Sequence, residues 1–458
     1  MKKLLLLITI IPFIGKTQTE DSVFIKRIAD EILTNGKAYD LLYQLTKQVG
    51  GRLAGSPQFA KAVQWGKVSM KAMGADTAYL QECIVSHWVR GGKDKAVIVE
   101  VDHIKQTKNL DALALGNSLG SNGKPVIAEV MAVKDFNEFE KRKDEVKGKI
   151  VFFNYPFNPT YISPGKAYGE TGVYRRSAAS RAAKYGAVAV LIRSLSGSTD
   201  NNPHTGVMVY NDSFPKISAA ALGLKDADAL YELCKKSSVK VSLTTYAKML
   251  PDTTGYNVIG ELRGTEFPNQ YITVGGHLDS WDVNEGAQDD GAGVVHTIEV
   301  MRALKALGYH PKHTIRFVLF ANEENSKNGI GGGEKYAAVA KEKNEQHIFA
   351  LESDAGGFTP RGFGFSMSAA QLQKVQTWLP LLQPYGTEHL ANGGGGADIG
   401  PLAKNLKTPL SGLNPDGQRY FDLHHSRGDV FENVNKRELL LGAVNMTGLI
   451  YLIDKYGL

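Results

Sequence analysis

At 458 residues the chain is longer than one hydrophobic core ordinarily serves, so a large domain plus a second unit is expected. Its 43% hydrophobic and 22% charged residues suit a soluble globular protein and exclude a disordered or fibrous one. A net charge of +6 without a long Lys/Arg run argues against nucleic acid as a partner, and two isolated cysteines exclude a disulfide scaffold or a Cys-rich metal site.

The chain opens with Lys2 and Lys3 ahead of an apolar run from Leu4 to Gly15, too short to span a bilayer and ordered like a secretory signal peptide. Residues 1–18 are expected to be removed on export to a secreted or periplasmic location, taking away three lysines and leaving a charge of +3. No later apolar run reaches ~18 residues. No Cys follows the first run closely, so no stable membrane anchor is expected. Cys83 and Cys234 could form one disulfide after export.

From 19 to 109 the apolar spacing is helical over Asp21–Leu33, Tyr39–Val49 and Ala60–Met73, then strand-like over Thr77–Ser86 and Lys95–Val101. Gly50–Pro57 is a loop whose Ser56 can cap the next helix, with Pro57 in its first turn. Residues 110–250 read as a second unit. Strands are expected at Val126–Val133, Lys149–Asn154, Ala187–Arg193 and Val239–Tyr246, with a helix over Tyr174–Tyr185. No His/Asp/Glu cluster lies there, and a lid or spacer is the plain reading.

From 251 to 458 the rhythm alternates. Tyr271–Gly275, Thr314–Phe320 and His347–Leu351 are strand-length runs separated by helices Gly293–Leu307 and Gly333–Lys341. Such alternation predicts an α/β fold with a mostly parallel sheet and helices on both faces. Ligands then sit beyond the carboxyl ends of the strands. The residues that follow those strands are His277-Leu278-Asp279, Asn322-Glu323-Glu324-Asn325 and Glu352-Ser353-Asp354, while Gly286–Gly291, with Asp289 and Asp290, leads into a helix. Carboxylates crowded at one strand edge repel one another unless a cation sits among them. With imidazole present, zinc is the default.

These phrases, with Gly50–Pro57, His277–Trp281 and His424–Asp429, resemble the co-catalytic zinc exopeptidases, most closely the carboxypeptidase Q branch, over nearly the whole mature chain. The resemblance implies a protease-associated domain inserted over about 110–250 and two Zn2+ per chain. It also implies His277, Asp289, Glu324, Asp354 and His425 as ligands, with Asp289 bridging in preference to Asp290. Asp279 would fix the His277 ring from behind, Glu323 would act as general base, and His424 would donate toward the tetrahedral oxyanion. The implied activity is hydrolysis of dipeptides or short peptides with free termini, by a homodimer. An aminopeptidase on longer peptides, a non-catalytic receptor-like protein and a glutaminyl cyclase share the fold and stand as alternatives.

Outside these phrases, Gly393–Gly396 reads as a mobile substrate loop that Asp398 could position, and His296, His310 and His313 as packing or surface residues. Arg427 is expected to pair with Asp429.

Overall fold

The computed structural model describes residues 14–327 and 329–458. The expected export signal lies outside the described residues, apart from the first positions of helix Ile14–Asn35. Two eight-stranded sheets organise the chain.

The first sheet runs, edge to edge, Thr77–Val89, Lys248–Leu262, His313–Phe320, Phe267–His277, Gln346–Glu352, Leu410–Pro415, Pro360–Ser366 and His389–Asn392. Its centre is parallel: Phe267–His277 pairs in parallel with His313–Phe320 on one side and Gln346–Glu352 on the other, and the latter pairs in parallel with Leu410–Pro415. Antiparallel strands flank that centre. All eight residues of His313–Phe320 are buried, as a strand covered by helices on both faces requires. Helices Ile14–Asn35, Ala292–Ala306 and Lys436–Tyr456 bury their apolar stripes together on one face. Gly332–Glu342 and Gly400–Leu406 cover the other. Asp21 ties the first helix to the last by accepting from the Tyr451 hydroxyl at 2.7 Å and the Lys455 ammonium at 2.6 Å.

The second sheet runs Ile104–Leu110, Lys95–Val101, Val239–Thr244, Val126–Val133, Ile150–Phe153, Ala189–Arg193, Ser218–Leu222 and Ala112–Ala114. Its own apolar clusters lie on its two faces. The boundary expected at 109/110 therefore falls too late. Lys95–Val101 pairs with Val239–Thr244, which carries residues 95–110 into this sheet, and sequence pattern alone does not show which sheet a strand joins. The helix expected from Tyr174 begins at Pro164, behind Ser163. Gly165, Gly169 and Gly172 dilute the periodicity of its first three turns.

Ser56 caps helix Pro57–Ala72 as expected, its hydroxyl accepting the Phe59 N–H at 3.1 Å. Both cysteines are free, Cys83 in the first sheet and Cys234 at the end of a helix packed on the second. Burial pushes each thiol up to about 12, which keeps it protonated and inert. Among the described residues, no helix is long and apolar enough to cross a membrane.

Candidate metal centre

Parallel strands end on a common edge, and three of them deliver acid- or imidazole-bearing turns there. His277 is the last residue of its strand, Asp354 lies two residues beyond Gln346–Glu352, and Glu323 and Glu324 follow His313–Phe320. The turn Ala287–Gly291 and the segment after the short helix Tyr420–Leu423 close the site from above.

Asp289 sits at its middle. Its Oδ1 lies 3.2 Å from His277 Nε2, and its Oδ2 lies 3.2 Å from His425 Nε2 and 3.4 Å from His424 Nε2. His277 Nε2 is also 3.4 Å from Asp354, and His425 Nε2 is 3.0 Å from Glu324. The structure thus brings all five expected ligands close together around Asp289, with His424 among them. Asp290 also lies within reach of His277 and Asp354. Its oxygens are already engaged, accepting the His277 N–H at 3.0 Å and the Gly293 N–H at 2.9 Å. Glu323 is half-buried beside the buried Glu324.

The supporting contacts differ in part from expectation. His277 Nδ1 meets the main-chain carbonyl of Asp279 at 2.9 Å, whereas the Asp279 carboxylate is 3.9 Å away. That carboxylate instead accepts the N–H groups of Glu323 and Glu324, at 3.1 and 3.2 Å. Asp279 therefore orients the ring through its backbone and holds the glutamate turn with its side chain. Arg427 pairs with Asp111 of the second-sheet region at 3.0 Å, not with Asp429. Asp429 is fully buried and accepts the N–H groups of Ala287, Gln288 and Asp289, which leaves it no free face. Asp398 is buried next to Glu352, whose carboxylate accepts the Ile399 N–H at 2.9 Å, so it lies behind the site within its wall. His296 and His313 are packing residues, His296 lying 2.8 Å from the Leu439 carbonyl and His313 lying 2.9 Å from Asp454.

The electrostatics call for cations. Burial, and then Asp289, push Glu324 up to about 7; burial, and then Asp354, push Glu352 up to about 8. Glu323 is raised well above the usual carboxylate range by burial and by Asp354, Glu324 and Asp289 around it. Three buried atoms that face the centre, His277 Nε2, Asp289 Oδ2 and Glu324 Oε1, have no hydrogen-bond partner. Mixed imidazole and carboxylate donors with unpartnered lone pairs fit a divalent metal, and zinc in particular.

Several contributors escaped sequence reading. Arg52 is fully buried and donates from Nε to the Leu278 carbonyl at 2.5 Å, from Nη1 to that of Glu285 at 2.8 Å and from Nη2 to that of Gly286 at 3.0 Å. The second-sheet region, read as a lid or spacer, also reaches the site. Arg175 lies 3.4 Å from His425 Nδ1 and donates to the Tyr168 hydroxyl at 2.6 Å. The Tyr168 ring meets His424 edge-on. Arg175 is 5% exposed, and its Nη1 meets only Tyr168 and His425 while its Nε has no hydrogen-bond partner among the described residues. One signal for it was present, since Arg175 lies three, four and seven residues before the buried Ala178, Ala179 and Ala182 and so belongs to the same buried helix stripe.

Residues 257–447 match peptidase family M28. The chain is 34% identical to human carboxypeptidase Q over 418 residues, covering 91% of this chain and 85% of that one. It is 28% identical over 204 residues to a probable leucine aminopeptidase 2 from Aspergillus oryzae, covering 43% and 36% of the two chains. Among solved structures, a peptidase M28 precursor from Shewanella amazonensis superposes with a TM-score of 0.89 at 30% identity, over 95% of this chain and 97% of that one. A zinc aminopeptidase from Bacillus subtilis superposes at 0.64 and 20% identity, over 90% and 94%, a likeness of fold.

Proposed function

Since the chain belongs to peptidase family M28 and is a metallo-exopeptidase, we propose that it uses two zinc ions to hydrolyse dipeptides and short peptides with free termini. The carrying observation is Asp289, whose two oxygens face imidazoles from different elements, as a carboxylate bridging two metals must.

His277 and Asp354 would hold one ion, Glu324 and His425 the other, with Asp289 between them. What the two ions supply when bound is Lewis acidity toward the scissile carbonyl and a lowered pKa for the attacking water. Glu323, half-buried and raised by its surroundings, would take the proton from that water and pass it to the leaving amine. His424 stacks on His425 with ring centroids 3.5 Å apart and is left to donate toward the oxyanion.

Substrate class rests on Arg175. A buried guanidinium is costly without an anion, and a peptide's free carboxylate would supply one beside His425. A single arginine serves one carboxylate, which favours short substrates with a free C-terminus over long peptides bound by the amine alone. Export and homodimer formation are kept as parts of the proposal. They rest on residues 1–18 and on the family resemblance.

The test is zinc content per chain together with dipeptide hydrolysis, on the wild type and on Glu323→Gln. Two zincs in both proteins with activity only in the wild type is the expected result. Two zincs without dipeptide cleavage by the wild type would overturn the substrate class, and no zinc binding at all would overturn the metal centre.

A further inference from the structure

The two half-sites are held by different means. A metal-binding imidazole ordinarily donates its second ring N–H to a carboxylate or carbonyl, which fixes the ring. His277 follows this rule through the Asp279 carbonyl. His425 does not. Its Nδ1 faces Arg175, a pure donor, and no acceptor reaches it among the described residues. His425 also has φ of 62°, a left-handed conformation uncommon outside glycine.

A main-chain contact to it comes from the second-sheet region. The Thr205 N–H donates to the His425 carbonyl at 2.9 Å. Thr205 is buried, and its hydroxyl donates to the Ala114 carbonyl at 3.0 Å. Gly206 follows with φ of 126°, its carbonyl accepting the Gly116 N–H at 2.9 Å. A Cβ at Gly206 would collide with Arg175 and lie 2.7 Å from His425 Nδ1, so the bare backbone seats the ring from that side. His424 stacks on the ring and Trp281 meets it edge-on. The segment 205–206 is thus pinned to strand Ala112–Ala114 and to Gly116, and pressed on one metal ligand.

We propose that Thr205 and Gly206 are positioning residues for His425, so that the second-sheet region completes the Glu324/His425 half-site while the His277/Asp354 half-site forms without it. This rests on the dinuclear reading above. In place of a side-chain acceptor, main-chain geometry set by a separate sheet fixes the ligand.

Chelator-competition titration of zinc on the full chain, for wild type, Gly206→Ala and Thr205→Pro, tests this. The first adds the colliding Cβ in a left-handed backbone, and the second removes the N–H. The expected result is one ion held as in the wild type and one weakened by about 10- to 100-fold, the range for lost support of a metal ligand. Thermal melting of the metal-free proteins checks folding. A double-mutant cycle with His425→Ala then separates positioning from general damage, because Gly206→Ala should weaken zinc no further once His425 is gone. Wild-type affinity for both ions in the variants, equal weakening of both ions, or an undiminished effect without His425 would each overturn the proposal. A wild type that binds no zinc would overturn the dinuclear reading itself.

Discussion

The carboxylate of Asp429 holds the main chain of Asp289, accepting its N–H at 3.1 Å on Oδ2 while Oδ1 takes the N–H groups of Ala287 and Gln288 at 3.1 and 2.6 Å. A residue 140 positions away along the chain therefore sets the angle at which the central carboxylate meets both imidazoles. Burial, with the Asp289 charge beside it, raises Asp429 to about 7, and the N–H groups of Gln288 and Asp289 and the buried Arg52 work against that rise. Asp429→Ala should leave three buried N–H groups unpaired and weaken zinc binding by about 10- to 100-fold. Metal titration and melting of the apo and loaded forms check this, and Asp429→Asn, which keeps one acceptor oxygen, should lose less.

Arg52 braces the loop that carries Leu278, Glu285 and Gly286 through three carbonyls and has no direct carboxylate partner among the described residues. Burial lowers its guanidinium to about 10, still charged at neutral pH, with Asp429, Asp279, Asp290 and Glu324 near enough to favour the charge. Arg52→Met removes all three donors and a positive charge from among four acids. A loss of roughly 3–5 kcal/mol in unfolding free energy is expected, the range for breaking one side of a buried charged network. Urea titration at neutral pH measures it, and a loss below about 1 kcal/mol would contradict the role.

Arg175 makes a prediction about substrate chemistry rather than stability. Arg175→Met should reduce kcat/KM for a free dipeptide by roughly 30- to 150-fold, about 2–3 kcal/mol for a charge-assisted contact. The C-terminally amidated dipeptide should change little, because it has no carboxylate to lose. Equal losses on both substrates would assign Arg175 a purely structural place beside His425.

Metal removal should reverse the pH dependence of stability around the site. Without metal, burial pushes Glu324 up to about 7 and Glu352 up to about 8, from an ordinary 4.5. For a carboxyl whose folded value is raised, the folded state holds the proton longer than the unfolded chain does. The protonated fold is thus at full advantage below about 4.5, and that advantage is lost as pH rises through 7 to 8. Chelated protein should melt at a higher temperature at pH 6 than at pH 8.5. The zinc-loaded protein should gain from rising pH over the same span, because the ligands must be deprotonated to bind. Scanning calorimetry with and without chelator shows both signs.

Much of this was legible in one dimension. Strand-length apolar runs broken by helical spacing gave the α/β sheet, because burial on both faces of a parallel centre demands near-continuous apolar strands such as His313–Phe320. The acids and imidazoles at strand ends pointed to the metal edge, since the carboxyl ends of parallel strands converge. Asp289, Glu324, His277, Asp354 and His425 could be named because the phrases that carry them resemble those of the co-catalytic zinc exopeptidases.

What only the tertiary structure decided are relationships between residues far apart in the chain. Lys95–Leu110 joins the second sheet because its hydrogen-bond partner is Val239–Thr244, and pairing partners leave no mark on local pattern. The engagement of Asp290, whose two oxygens accept the N–H groups of His277 and Gly293, leaves no mark on its spacing. Arg52, Asp429, Arg175 and Thr205 act through backbone groups or across the two sheets, so the residue type carries little of the signal. A sequence records which side chains are available for chemistry. The fold decides which of them are held, from how far away, and with which atoms left free.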